Sequence, residues 1–151
     1  MTIRTAVVDA AEIIPLRWAV LRPGLPRESA EFVEDRRRET VHLAAYEGAG
    51  ERVLACVTLF PDPLPGQPAP AWRFRGMASD PAVRGRGFGV AVLAAASETA
   101  GARGARLLWC NGRTGARGFY ERQGFAVAGE EFVIEGVGPH LVFTRKIVHS
   151  G

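Results

Sequence analysis

The amino-acid sequence predicts a mixed-sheet α/β (α+β) domain. Three observations predict it. Short β-prone runs separated by turn residues open the chain, an Ala-rich helical segment sits between two apolar strands in its middle, and two further strands close it. The length of 151 residues, with 47% apolar and 23% charged, suits a single domain over 1–151 with its own core.

Residues 3–8 read as a strand. Asp9 is a candidate N-cap for a helix that runs to Leu21, and Pro15 is close enough to its start to be tolerated. Pro23, Gly24 and Pro26 stop it, and a second short helix is expected around 28–38. Residues 41–46 and 53–60 read as the strands of a hairpin turned at 48–50. Residues 61–70 hold five of the ten prolines, so they form neither a central strand nor a helix interior; a surface loop or a lid is expected. Residues 72–79 are a strand broken by Asp80-Pro81, followed by a glycine-rich turn at 85–89 and a helix over 90–102 that ends at Gly101 and Gly104. An apolar strand over 106–110 fits burial on both faces. A short helix over 115–123 stops at Gly124, and strands at 126–133 and 141–147 finish the chain, with no internal repeat.

Composition excludes several function classes. No apolar run approaches the length of a membrane span, and the first residues lack a basic-then-apolar export pattern. Cys56 and Cys110 sit in apolar runs, as reduced core cysteines do, so a cytoplasmic location is expected. His42, His140 and His149 are scattered and show no metal-ligand spacing; no metal is expected. Four serines and no Gly-x-Ser-x-Gly argue against a serine triad. The formal charge of +3 is concentrated: seven arginines face two glutamates between Arg84 and Arg122, a local excess of +5. Such a patch points to an anionic partner. Arg36-Arg37-Arg38, flanked by Glu34, Asp35 and Glu39, reads instead as a solvated charge run.

The segment carrying most chemistry is Met77-Ala78-Ser79-Asp80-Pro81-Ala82-Val83-Arg84-Gly85-Arg86-Gly87-Phe88-Gly89. It predicts a strand, a break, a glycine turn and a helix N-terminus. Glycines let the backbone turn tightly and approach a ligand, and the first helical amides point outward without intrahelical acceptors. With the positive end of the helix dipole these amides suit a diphosphate, and Arg84 and Arg86 can add charge-assisted contacts. A turn needed only for folding is the alternative. The G-x-G-x-G spacing departs from the dinucleotide fingerprint, and the Gly-Lys-Ser/Thr ending of a nucleotide P-loop is absent.

Downstream lie Leu107-Leu108-Trp109-Cys110-Asn111 and Phe119-Tyr120-Glu121-Arg122-Gln123-Gly124-Phe125. With Arg84-Gly85-Arg86-Gly87-Phe88-Gly89, the chain resembles the GNAT family of N-acetyltransferases over residues 3–148. The first motif resembles that family's R/Q-x-x-G-x-G/A acyl-CoA segment, and the second its F-Y-E-x-x-G-F segment. The resemblance implies a mostly antiparallel central sheet with a splayed parallel strand pair, flanked by about four helices. It implies acetyl-CoA as cosubstrate, with the pyrophosphate at Arg84, Gly85, Arg86, Gly87, Phe88 and Gly89. Met77, Ala78 and Ser79 would lie beside the pantetheine arm and Asn111 would touch it directly or through water. Phe119 would pack the helix with its edge toward CoA. Tyr120 would hold its hydroxyl near the sulfur as general acid.

The expected chemistry is transfer of acetyl to a primary amine in a ternary complex, with a backbone amide near Met77 or Ala78 stabilising the oxyanion. The general base is open: His140 stands before the last strand, and Glu130, Glu131 and Glu135 are alternatives. Arg22, at the end of the first helix, is a candidate for an acidic group on the acceptor. The partner is expected to be a small-molecule or peptide amine, with no nucleic acid and no membrane; exposed terminal strands leave a homodimer open. A non-catalytic acyl-CoA-binding module of the same fold is the competing reading. A nucleic-acid binder is weaker, because no recognisable nucleic-acid motif accompanies the basic stretch.

Overall fold

The computed structural model describes residues 2–148; His149 lies outside the described residues. Seven strands and three α-helices follow in the order β1 (Ile3–Val8), α1 (Ala10–Leu21), β2 (Val41–Glu47), β3 (Ala55–Pro61), β4 (Ala71–Ser79), α2 (Phe88–Ala102), β5 (Leu107–Arg113), α3 (Arg117–Arg122), β6 (Ala126–Ile134) and β7 (Gly138–Lys146). The strands form one sheet in the order β1-β2-β3-β4-β5-β7-β6. Its neighbours are antiparallel except β4 and β5, which are parallel.

Strand alternation builds two apolar layers. Leu43 and Ala45 of β2 and Val57 and Leu59 of β3 join Val92, Leu93 and Ala96 of α2 in the larger core. Their neighbours in sequence, Ala44, Tyr46 and Cys56, meet Ile13 of α1 in the smaller one. The two long helices therefore cover opposite faces. The aromatic residues Phe119 and Tyr120 of α3 join the α2 side.

The helix expected around 28–38 forms two 3-10 turns instead, Arg27–Ala30 and Val33–Arg36, so three α-helices flank the sheet rather than about four. Between them the chain extends so that the Phe32 ring lies against the buried Arg17 guanidinium, 3.9 Å from its centroid. Arg17 is fully buried and bonds both oxygens of Asp35, at 2.7 and 3.1 Å, the carbonyl of Ala30 and the hydroxyl of Thr58. These contacts clamp the connector to α1 and β3. A continuous helix would carry Phe32 and Asp35 to other places.

The proline-rich segment is held down rather than free. Leu64 packs on Ala71, Leu107 and Trp109, and the Trp109 indole donates to the Asp62 carbonyl at 2.8 Å.

Candidate active site

Among the described residues β4 and β5 pair only where Ala71, Trp72 and Arg73 face Leu107, Leu108 and Trp109. Beyond that the two strands part, and the β4 edge toward β5 lacks a strand partner. A β-bulge lies in the same stretch. Cys56 pairs with Ala78 but Thr58 pairs with Arg75, so β4 carries one extra residue around Gly76 and Met77. Gly76 has φ +68°, and a Cβ there would stand 2.7 Å from the Phe32 ring, so the bulge needs glycine on both counts. The bulge also changes which face the later residues of β4 take: Trp72 and Phe74 join the α2-side core, and after the extra residue Met77 does too.

A cavity of about 630 Å³ lies against the last residues of β4, beyond the paired stretch. Met77, Ala78 and Ser79 of β4 line one wall, Arg84, Gly85, Gly87, Phe88 and Gly89 a second, and Phe119 and Tyr120 of α3 a third. Gly87 caps α2 with φ +95° and no side-chain cap bond. The amide of Ala91 is bonded to the Gly87 carbonyl at 3.0 Å; those of Phe88, Gly89 and Val90 precede this first helical bond. The turn before them is fixed by Asp80, whose carboxylate accepts from the Ala82 amide at 2.9 Å and from Arg52.

A second cavity of about 350 Å³ adjoins the first and shares Leu21, Met77, Ala116 and Tyr120 with it. Its other walls include Arg22, Phe32, Arg73, Arg75, Asn111, Arg113 and His140. Tyr120 is thus one of four residues at the junction, and among them it alone carries a hydroxyl. Its ring packs on Phe143, Phe119, Phe125 and Phe74 at centroid distances of 4.6 to 6.1 Å. Its hydroxyl interacts with the Cys110 thiol.

The profile of the acetyltransferase (GNAT) family matches residues 10–125. The chain belongs to the GNAT acetyltransferase family. Bacillus subtilis holds a relative named as the N-acetyltransferase YitI, uncharacterized, 27% identical over 140 residues and covering 93% of each chain. Among solved structures, one from Lactobacillus plantarum superposes with a TM-score of 0.80 at 21% identity, covering 98% of this chain and 100% of that one. An aminoglycoside 6'-N-acetyltransferase complexed with coenzyme A superposes with a TM-score of 0.76 at 14% identity, covering 100% and 99%. These structures share the fold.

Within this GNAT scaffold most residues singled out from sequence converge on the first cavity. Arg86 and Asn111 do not line it. The Arg86 guanidinium reaches Glu47 at 3.4 Å, and Asn111 lines the second cavity. Arg22 and His140 both line that second cavity. His140 Nδ1 lies 2.8 Å from the Gly138 carbonyl, which makes Nδ1 the donor of that bond. Glu130, Glu131 and Glu135 are exposed and line neither cavity.

Sequence reasoning missed Arg122, which lines the first cavity, and Arg113, Arg73, Arg75 and Phe32, which line the second. The period-2 spacing of Arg73 and Arg75 put them on one face of β4. Nothing local ties Arg22 to Arg113, which are 91 residues apart in sequence.

Burial dominates the electrostatics at the junction. It holds the Tyr120 hydroxyl far above its ordinary value, and the neighbouring Cys110 adds to the shift. Burial likewise pushes the Cys110 thiol up to about 12. A negative charge on oxygen or sulfur is costly here.

Proposed function

We propose that this protein is an acetyl-CoA-dependent N-acetyltransferase that moves acetyl directly to a primary amine while both substrates are bound. The observation that carries this reading is the place of Tyr120, which with Leu21, Met77 and Ala116 stands where a cavity lined by the glycine turn meets a second, cation-rich cavity. The family supports it, as does the aminoglycoside 6'-N-acetyltransferase of the same fold, which was solved in complex with coenzyme A.

The residues fit the cosubstrate. The first-turn amides of α2 and Arg84 suit the diphosphate, with Arg122 as a further cation on the same cavity. The unpaired β4 edge at Met77, Ala78 and Ser79 suits an extended pantetheine arm. Bound acetyl-CoA supplies an activated acetyl: the amine nitrogen bonds to the carbonyl carbon, the carbon–sulfur bond breaks, and sulfur leaves with its electron pair. A backbone amide near the bulge at Met77 or Ala78 holds the carbonyl oxygen as it gains charge. Tyr120 gives its proton to the sulfur. A raised Tyr120 makes a weaker acid, but the same burial makes a thiolate a stronger base, as the shift of Cys110 illustrates. On the acceptor side, His140 Nε2 takes the proton that the amine releases.

The test is release of coenzyme A thiol from acetyl-CoA across a broad amine panel. Amine-dependent release supports the reading. Tight acetyl-CoA binding with no release for any amine turns it to a binding module.

A further inference from the structure

We infer, on the acyltransferase reading above, that the acceptor is an amine that also carries an anionic group, a carboxylate or a phosphate, received by Arg22 and Arg113. The second cavity is lined by four arginines, Arg22, Arg73, Arg75 and Arg113, and among the described residues by no Asp or Glu. Two of the four are neutralised from outside it: Arg73 lies 3.7 Å from Asp62, and Arg75 lies 2.8 Å from Glu34. Arg22 and Arg113 have no carboxylate partner among the described residues. The Arg22 guanidinium donates to the Leu21 carbonyl at 3.0 Å. The Arg73 Nε is buried without a hydrogen-bond partner.

The cations feel one another. Burial lowers the Arg22 value, and Arg75, Arg113 and Arg17 lower it further by repulsion. A chain does not gather like charges around one hollow without cost, and an anion entering it relieves that cost. The same field acts on the other end of the acceptor. Positive neighbours disfavour an ammonium and favour the neutral amine that attacks. The arginines thus do part of the work of a general base, in a cavity that has no carboxylate to do it. A polycationic amine is disfavoured on both counts.

The experiment is steady-state thiol release with acetyl-CoA and matched amines: α-amino acids, their carboxamides, their aminophosphonate analogues, and spermidine. The carboxylate or the phosphonate form is expected to exceed the carboxamide in kcat/KM by about ten- to a hundredfold, the range of a charge-assisted hydrogen bond or two. Whichever anion wins names the source. Arg22→Gln and Arg113→Gln should each shrink that preference. Arg113→Glu, at an exposed position, should reverse it. Unchanged acetyl-CoA affinity reports that each variant is folded. Carboxamides or spermidine accepted as well as the anionic forms overturn the inference and leave the acyltransferase reading standing. Absence of thiol release with every amine overturns both.

Discussion

Gly112 of β5 backs onto the Tyr120 ring: a Cβ there would stand 2.8 Å from Tyr120 Cε2 and 2.7 Å from Phe143 Cε2. Both contacts are closer than side chains tolerate, and Phe143, fully buried, has less room to yield than Tyr120. Gly112→Ala therefore displaces the tyrosine. Overpacking of this kind costs about 1–3 kcal/mol. Thermal unfolding should show that loss, and thiol release should fall more than acetyl-CoA affinity.

The glycine turn makes a separate prediction. Gly87 sits at φ +95°, and alanine there adopts a conformation costing about 1–2 kcal/mol. If the turn cradles the diphosphate, Gly87→Ala weakens acetyl-CoA binding in titration calorimetry while the acceptor KM stays put. Equal loss on both substrates would count against that assignment.

Asp35→Ala tests the clamp on the connector. It leaves a fully buried guanidinium without its carboxylate, a change that costs about 3–5 kcal/mol. It also loosens Phe32, whose amide donates to Asp35 at 2.8 Å and which lines the second cavity. A loss of unfolding free energy of that size is expected in urea denaturation, with a raised acceptor KM in whatever folds.

Acid sensitivity should trace to His42. Burial lowers its value below the ordinary one; Asp35, 4.0 Å away, opposes this and Arg17 reinforces it. Below about pH 6.5 the unfolded chain takes a proton that the folded one refuses, so stability falls as pH drops from there. The fall ends once the folded state is protonated as well. Denaturation midpoints of the wild type and His42→Gln between pH 5 and 7.5 check this: the variant should show the shallower slope, and parallel slopes would remove His42 from the explanation.

The parts of the site that sequence makes legible are those whose chemistry is local. Gly85, Gly87 and Gly89 announce a turn into a helix, and Phe119-Tyr120 sits one turn into a short helix, so both could be placed on elements, while their meeting at one site was implied by the family resemblance alone. What stayed hidden is assembled across the sheet. The +5 stretch is not one patch: Arg84 and Arg122 line the first cavity, Arg113 the second, while Arg103 lies over Trp72. The Arg17–Asp35 clamp joins residues whose sequence neighbours look like ordinary solvated charge, and the exposed Arg36, Arg37 and Arg38 beside it are that. Helical propensity around 28–38 lost to this tertiary pairing. The bulge at Gly76 was equally unreadable, because a glycine in a strand does not say which face its neighbours will take.

Whether Tyr120 protonates the departing sulfur is tested most directly by measuring kcat and acetyl-CoA affinity side by side for Tyr120→Phe. Phenylalanine keeps the ring packing against Phe143 and Phe125 and removes only the hydroxyl. Proton donation by Tyr120 predicts unchanged acetyl-CoA affinity and a kcat lower by about a hundredfold or more, the usual worth of a general acid. A kcat equal to that of the wild type would contradict it.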